Sequence, residues 1–253
     1  MTAVRPAMLV RRVRRGVTAR VRAARFRRLH PRPRGGDVIT VGDLGYGGYQ
    51  VPAGLLGPGS VVVSAGAGTD VSFECLLVAR FGCRVHLLDP VPAARDHVRT
   101  VLTHEPRVSY ECAALWSHDT ELSFHAPAIA DHVSHSATDM HHTPVAFTAP
   151  ARSLASLREQ HGWSRVDLLK ISAEGAEFAI LDALLADARP VGALCVEFAQ
   201  PVRIRDVDAM IDRLHRGGYE LLDHHIRAFG WKATFAATRR SDPRASRSAE
   251  RSQ

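Results

Sequence analysis

Three side chains that can accept a proton occur at places where catalytic groups are common in α/β proteins. Glu174 directly follows one apolar run, Glu197 lies near the end of another, and His135 lies in the polar segment 125–149. A carboxylate or an imidazole at the ligand-binding edge of a sheet can remove the proton from a hydroxyl group as that group reacts. The sequence therefore gives three candidate bases, in the order Glu174, His135 and Glu197.

Each candidate also has an interpretation that involves no catalysis. Glu174 could cap a following helix that begins at Gly175, or it could bind the ammonium group of a ligand. Glu197 could be a buried carboxylate that is paired within the fold. His135 could be a solvated loop histidine.

A glycine loop follows the apolar run Val61–Val63 and precedes a stretch with helical periodicity. Gly66 and Gly68 allow the backbone to approach a ligand closely. The third glycine of a dinucleotide-binding loop is replaced by Val71, and Asp70 at the predicted helix N-cap would repel a pyrophosphate. The loop therefore favours a nucleoside cofactor without phosphates, such as S-adenosylmethionine, over the alternative of an NAD-dependent Rossmann oxidoreductase.

An acidic residue, Asp89, stands at the end of the second predicted strand, about twenty residues beyond the glycine loop. A carboxylate at this place can accept hydrogen bonds from both ribose hydroxyl groups. The alternative is a helix entry, in which Asp89 caps the following helix and Pro92 occupies its first turn.

Six histidines lie within residues 118–142, and His132 and His135 have a spacing that two ligands of one metal ion can have. No cysteine joins them, and no ligand spacing recurs. We therefore predict a polar lid over the substrate here and no metal site.

Strand and helix patterns alternate along most of the chain, which indicates a doubly wound sheet. Two short strands, 37–41 and 46–51, are expected to cover the sheet or the ligand mouth. The other predicted strands are 60–64, 84–88, 107–112, 121–124, 166–171, 191–198, 219–225 and 231–237, and the predicted helices are 70–81, 92–103, 153–161, 175–187 and 205–216. The last two strands form a hairpin, so the sheet is expected to be mostly parallel with an antiparallel final strand.

The net charge of +7 is unevenly distributed. Residues 1–34 contain twelve arginines and no acid, residues 239–253 carry a charge of +3, and −8 remains for residues 35–238. An acidic core argues against binding of nucleic acid. We predict a basic extension with a linker (1–36), one catalytic domain (37–238) and a disordered tail (239–253).

Residues 8–29 can form a basic amphipathic helix that binds an anionic membrane surface or an acidic partner, or they can remain a solvated tail. No run is long and apolar enough to span a bilayer, and no apolar stretch of a secretory signal follows the basic residues. The four cysteines lie in apolar contexts without a CxxC pair, so we expect all four to be small buried side chains of a protein in a reducing compartment. These features predict a cytoplasmic protein, with a possible peripheral membrane contact.

The segment Lys170–Glu177 resembles the Lys-Ile-Asp-x-Glu-Gly-x-Glu signature of the FkbM-type methyltransferases. Five further segments are similar to motifs of that family: Ser64–Glu74, Asp89–Pro92, Ala114–Trp116, Val133–Ser136 and Val196–Phe198. The resemblance covers residues 60–200 and implies a class I S-adenosylmethionine-dependent methyltransferase sheet. It also implies transfer to a hydroxyl oxygen of a sugar or small natural product.

The cofactor-binding residues expected from the loop, the strand ends and this resemblance are Ser64, Gly66, Gly68, Asp70, Asp89, Ala114, Leu115 and Ser172. One of them departs from the family signature, because Ser172 stands where the family has Asp. The departure leaves a second hypothesis, a catalytically impaired module that binds the cofactor or associates with a membrane.

Overall fold

The computed structural model describes residues 24–31, 37–102, 105–129, 132–226 and 230–238. Its strands are β1 (Val38–Val41), β2 (Tyr49–Pro52), β3 (Val61–Ala65), β4 (Arg84–Leu88), β5 (Val108–Glu111), β6 (Ala114–Trp116), β7 (Thr120–His125), β8 (Val145–Ser153), β9 (Val166–Ile171), β10 (Val191–Ala199), β11 (Tyr219–Ile226) and β12 (Gly230–Ala237). Its helices are α1 (Ser72–Phe81), α2 (Pro92–Val101), α3 (Leu154–His161), α4 (Glu177–Ala186) and α5 (Ile204–Arg216).

Seven strands form the main sheet in the order β11-β12-β10-β9-β3-β4-β5. The neighbours from β10 to β5 are parallel, whereas β12 pairs antiparallel with both β10 and β11. The predicted α/β class, with a mostly parallel sheet and an antiparallel final strand, is confirmed. The strand order reverses between β3 and β9, and the carboxyl ends of such a pair form the crevice where open α/β sheets bind ligands.

The central strands are buried on both faces, as a parallel sheet with helices on each side requires. In β3, Val61, Val63 and Ala65 contribute to one hydrophobic cluster, while Val62 contributes to the other. Alternate side chains of β3 therefore face opposite sides of the sheet, as in any strand, although Val61–Val63 is an uninterrupted apolar run. Each side chain packs in the hydrophobic cluster on its own side of the sheet. Helix α5 buries its residues 207, 210, 211 and 214 on a single stripe, the spacing of an amphipathic helix.

The hairpin β1–β2 covers one face of the sheet. Its buried Val41, Tyr49 and Val51 join the cluster that contains residues of β3, α1 and β10. Polar groups of the main sheet also hold the hairpin: the Cys195 thiol and the Thr234 hydroxyl both donate to Gln50 O, at 3.2 and 2.8 Å. The predicted covering role of the hairpin agrees with these contacts.

A second, three-stranded sheet has the order β6-β8-β7. The prediction of an irregular loop over residues 125–149 is wrong at both ends, because β7 extends to His125 and β8 begins at Val145. Exposed residues alternate irregularly along β8, and Pro150 lies within it, so its pattern does not resemble that of a buried strand. A bridge between His125 and Ser136 shortens the remaining loop further.

The end of the basic extension belongs to the folded core. Residues 24–29 are helical, and Phe26 is 1% exposed, with its ring 5.1 Å from that of Trp231 and 5.0 Å from that of His224. His30 Nε2 lies 2.9 Å from Asp208 Oδ1. The predicted boundary at residue 37 therefore omits residues that pack on the sheet. The rest of the predicted helix over 8–29, and the predicted tail 239–253, lie outside the described residues.

Two other expectations concern membranes and cysteines. Within the described ranges, no helix has the length and apolar character needed to cross a membrane. Cys83 and Cys195 are buried as expected, but Cys75 is half-buried and Cys112 is exposed. The expectation of four buried cysteines is thus wrong for these last two.

Candidate functional site

The glycine loop runs along the crevice between β3 and β9. Gly66 has a φ of +89°, and its N–H donates to Leu88 O at 2.9 Å. A Cβ atom at Gly66 would lie 1.9 Å from Ser172 O, so no side chain fits there. Gly68 also has a positive φ, of +54°, but a Cβ atom there would meet only Val133 Cγ2, at 3.7 Å. Gly66 thus packs closely against the backbone of Ser172, whereas the space beside the backbone of Gly68 is open.

Asp89 holds the glycine loop against the end of β4. Its Oδ2 accepts the N–H groups of Ala67 and Gly68 at 2.8 and 2.9 Å, and its Oδ1 accepts that of Val91 at 2.8 Å. Burial raises the pKa of this carboxyl group, and the three N–H donors oppose that rise. Asp89 therefore shapes the loop and contacts the helix entry at Val91. The alternative that it caps α2 is wrong, because the N-cap is Val91 and no side chain caps it, while Pro92 does begin the helix. Ribose binding by Asp89 stays a prediction.

A buried polar chain supports the loop from beneath. The Ser64 hydroxyl donates to Glu74 Oε1 at 2.6 Å, and Lys170 Nζ lies 3.6 Å from the same oxygen. Lys170 Nζ also donates to Gly66 O. Ser64 is completely buried, and its contact with a cofactor stays a prediction. Its hydroxyl acts indirectly, by orienting the Glu74–Lys170 pair under Gly66.

Asp70 has a smaller role at the helix start than we predicted. The N-cap of α1 is Val71, which makes no side-chain cap, and the helix begins at Ser72. Asp70 Oδ1 nevertheless accepts the N–H of Ser72 at 2.9 Å. Val71, at the position of the missing third glycine, is 2% exposed and packs in a hydrophobic cluster.

Glu174 lies in the short loop between β9 and α4. It has a φ of +47°, a conformation that is uncommon for residues other than glycine. Helix α4 begins only at Glu177, and its N-cap Ala176 makes no side-chain cap. The alternative that Glu174 caps this helix is therefore wrong. Burial, and then the charge of Glu197, raise the pKa of Glu174, while a hydrogen bond with Ser134 opposes the rise.

Glu177 fixes the shape of this loop, a role that the sequence reasoning missed. It is 1% exposed, its Oε1 accepts the N–H of Ala173 at 3.3 Å, and its Oε2 accepts that of Gly175 at 3.0 Å. Burial raises the pKa of Glu177 to about 7. The sequence feature that could have indicated this role is the position of Glu177 in the signature segment Lys170–Glu177.

Replacement of Glu177 with Gln should remove a pH dependence of stability. Because its folded-state pKa is raised from 4.5 to about 7, the protonated carboxyl stabilises the fold below pH 4.5, and this stabilisation is lost as the pH rises towards 7. The loss corresponds to about 3 kcal/mol. Chemical denaturation at pH 5 and pH 8 should show a smaller difference for Glu177→Gln than for the wild type. Equal differences in the two proteins would refute the assignment.

Glu197 joins a cluster that connects four distant parts of the chain. Its Oε2 accepts the Tyr49 hydroxyl at 3.2 Å and the Ser172 hydroxyl at 3.4 Å, and it lies 3.8 Å from Lys232 Nζ. Burial, and then Glu197, raise the pKa of Tyr49 well above its ordinary value. Lys232 Nζ donates to Gly48 O at 2.9 Å. The alternative of a carboxylate paired within the fold therefore agrees with the contacts of Glu197.

The segment from Val133 to Met140 packs over the crevice. Ser136 Oγ lies 2.5 Å from Glu174 O, and the side chains of Thr138 and Met140 fill the space where a Cβ atom of Gly175 would be. His135 is held by Val133 O, 3.2 Å from its Nδ1, and its ring centroid lies 5.2 Å from that of Phe147. The segment thus lies where a lid would, and a catalytic role of His135 stays a prediction.

Two of the predicted cofactor contacts lie in β6, beyond the end of β5. The side chain of Ala114 packs with Phe124, Ala149 and Ala151, and that of Leu115 belongs to the main hydrophobic cluster. Both residues are almost fully buried. The structure therefore shows their packing, and their contact with a cofactor stays a prediction.

Several solved structures have a similar fold. Fibrillarin from Aeropyrum pernix, in complex with S-adenosyl-L-methionine, is 12% identical, with a TM-score of 0.45 over 82% of this chain and 86% of that one. Methanococcus jannaschii fibrillarin, described as a pre-rRNA processing protein, is 9% identical, with a TM-score of 0.46 over 83% and 84%. The precorrin-6y C5,15-methyltransferase of Geobacter metallireducens is 13% identical, with a TM-score of 0.40 over 71% and 80%. Likeness this distant shows nothing about the substrate.

Comparisons at the level of sequence agree with the motifs. No curated protein matches the chain. The family model for the methyltransferase FkbM domain matches residues 64–221, which include the glycine loop, Asp89 and the signature at the end of β9. The chain therefore belongs to the FkbM methyltransferase domain family, and it is a methyltransferase whose methyl donor is S-adenosylmethionine.

Proposed function

We propose that the chain transfers the methyl group to a hydroxyl oxygen of a sugar or another small natural product. The observation that carries this proposal is the position of Glu174, a half-buried carboxylate with a raised pKa at the ligand-binding edge of the sheet. A base whose pKa lies nearer the working pH suits removal of a hydroxyl proton. Membership of a methyltransferase family replaces the alternative of an NAD-dependent oxidoreductase.

The residues at the crevice fit the cofactor. The open backbone of Gly68 provides room for a nucleoside next to the end of β4, where Asp89 lies. Acidic side chains surround the same edge, among them Asp70, Glu174 and Glu197. Carboxylates favour a ligand with cationic sulfonium and ammonium groups, whereas they would repel a pyrophosphate.

When bound, S-adenosylmethionine supplies a methyl group that its sulfonium already activates for displacement. The chain then has to align the acceptor, exclude water and accept one proton. The lid segment Val133–Met140 covers the crevice and limits access of water. We assign proton removal to Glu174. The negative charge of Glu197 is offset by Lys232, and the Tyr49 hydroxyl donates a hydrogen bond to it.

Replacement of Glu174 with Gln should lower kcat by about 10²- to 10⁴-fold, the usual contribution of a general base. The amide keeps the shape of the side chain but cannot take the proton. Methyl transfer to a panel of glycosides and phenols, with matched amines as comparison acceptors, measures the effect. Binding of S-adenosylhomocysteine by isothermal titration should stay unchanged.

The exposed Glu220→Gln is the matched control for this experiment, and it should behave like the wild type. Loss of S-adenosylhomocysteine binding in Glu174→Gln would instead assign Glu174 to the cofactor ammonium. Transfer to the amines alone would contradict O-methylation.

A second candidate function, a module that binds the cofactor but reacts poorly, is favoured by Ser172. Where the family signature has an acid, the Ser172 hydroxyl donates to Glu197 at 3.4 Å. If the serine impairs catalysis, Ser172→Asp should raise turnover by about tenfold or more, because it restores a carboxylate beside the acceptor. The same panel of acceptors measures this. A fall in turnover would show that serine suits this site better than aspartate, because a second negative charge next to Glu197 is unfavourable.

A further inference from the structure

A cluster of two histidines and a glutamate lies on the main sheet, apart from the residues assigned to methyl transfer. It consists of His86 in β4, Glu111 at the end of β5 and His161 at the end of α3. One ligand atom from each residue can be chosen so that all three lie within 4.8 Å of one another. The three residues come from separate elements, so anything that binds them all links those elements together.

The hydrogen bonds of His86 favour one tautomer of its ring. Its Nδ1 lies 2.8 Å from Ser109 Oγ, and that hydroxyl donates its single proton to Val85 O at 3.4 Å. In the tautomer that satisfies both contacts, Nδ1–H donates to Ser109 Oγ, and the other nitrogen, Nε2, keeps a lone pair. A histidine that donates one N–H to a neighbour and offers the other nitrogen is the usual arrangement of a metal ligand.

The lone pair of His86 Nε2 has no hydrogen-bond partner among the described residues, although the ring is only 4% exposed. It faces the carboxylate of Glu111, with 3.4 Å between Nε2 and Oε2. His86 Nε2 is buried and the Glu111 side chain is 29% exposed, and two acceptors that face each other at this distance favour a cation between them. A divalent metal ion is a cation that can take both of these atoms as ligands.

The distance itself suits a tetrahedral ion. Ligand atoms at about 2.0–2.1 Å from zinc are separated by about 3.3 Å when the angle between them is tetrahedral. The 3.4 Å between His86 Nε2 and Glu111 Oε2 agrees with this separation. His161 lies at the carboxyl end of α3, where the helix dipole favours positive charge.

Neighbouring side chains orient the other two ligands. Trp163 stacks on His161, with ring centroids 4.5 Å apart and planes 13° from parallel. Arg152 Nε lies 3.4 Å from Glu111 Oε1 and Arg152 Nη1 lies 3.1 Å from Asp119 Oδ2. Arg152 thus faces one carboxylate oxygen and leaves the other, Oε2, turned towards His86. Its positive charge opposes a nearby metal ion, and Asp119 offsets part of that charge.

We propose that His86, Glu111 and His161 bind one divalent transition-metal ion of the zinc type, with water completing the coordination. Two imidazoles and one carboxylate are ligands that zinc commonly takes. The ion joins β4, the edge strand β5 and α3. Because the Asp89 N–H donates to Glu111 O at 3.3 Å, the same ion also steadies the strand end that carries Asp89.

Titration of the metal-free full chain with Zn²⁺ and Co²⁺ tests the proposal. We expect one equivalent to bind and to raise Tm by about 5 °C in excess metal. His161→Ala, on an exposed helix end, and Glu111→Gln should each weaken binding by about 100-fold or more. Circular dichroism of the metal-free variants confirms that they fold.

The matched control is His142→Ala, whose side chain is 90% exposed and lies 3.5 Å from Asp139. It should bind metal like the wild type. The proposal is overturned if the wild type binds no ion, if His161→Ala binds as tightly as the wild type, or if His142→Ala is equally weakened. Thiolate charge-transfer bands of the Co²⁺ form would also overturn it, because they would place the ion on a cysteine such as the exposed Cys112.

Discussion

Replacing Gly66 with alanine is expected to weaken binding of S-adenosylhomocysteine by at least about 100-fold, which corresponds to about 2.7 kcal/mol. The new Cβ atom would lie 1.9 Å from Ser172 O, and the φ of +89° is itself unfavourable for alanine. Since Ser172 O is part of the backbone, relief requires movement of the loop or of the end of β9. Isothermal titration measures the affinity, and chemical denaturation should show a loss of about 3 kcal/mol in the free energy of unfolding.

Gly54 is the matched control for the effect of backbone conformation alone. Its φ is +71°, but a Cβ atom there would meet nothing within 4 Å. Gly54→Ala should therefore cost about 1–2 kcal/mol of stability and leave the affinity for S-adenosylhomocysteine unchanged. If Gly66→Ala behaved like Gly54→Ala, the loop at Gly66 would not form part of the cofactor site.

Asp89→Ala is expected to raise the Kd for S-adenosylhomocysteine by about 100-fold and to lower Tm by about 5–10 °C. The change removes the acceptor of three N–H groups at Ala67, Gly68 and Val91, and each buried donor left without a partner costs about 1–3 kcal/mol. The loop then loses the conformation that exposes Gly68. Isothermal titration and thermal unfolding measure the two effects.

Asp89→Asn separates loop shape from charge. Its amide oxygen can accept from two N–H groups, so its stability should fall between those of Asp89→Ala and the wild type. The exposed Asp96→Ala serves as the control and should change neither quantity. An unchanged affinity in Asp89→Ala would remove Asp89 from the cofactor site.

The main sheet could be predicted because its signals are local. Val61–Val63 is an uninterrupted apolar run, and Leu168–Ile171 is interrupted only by Lys170. Glycines or acids follow at the ends where strands of a doubly wound sheet meet ligands. The ends of the predicted strands were therefore enough to place Gly66, Asp89 and Glu174 along one edge of the main sheet. The antiparallel final strand followed from the short connection before β12.

The rest depends on contacts between distant residues, which no local pattern encodes. Tyr49, Ser172, Glu197 and Lys232 form one cluster although up to 183 residues separate them. Strand β8 was missed because only two of its nine residues are buried and it contains a proline. The full burial of Ser64 could not be foreseen either, since a serine at the end of an apolar strand is compatible with both a ligand contact and an internal hydrogen bond.

Lys232 has a consequence for the synthesis of the protein on the ribosome. Its ammonium group donates to the carbonyl oxygens of Tyr46 and Gly48, so one of the last residues of the domain to be translated holds one of the first hairpins. The strand that carries it, β12, also inserts between β10 and β11. Until translation passes residue 237, a nascent chain exposes the unpaired edge of β10 and an unanchored hairpin, a state that is open to aggregation. The hairpin and the edge of β10 therefore gain their final contacts only once β12 has been synthesised.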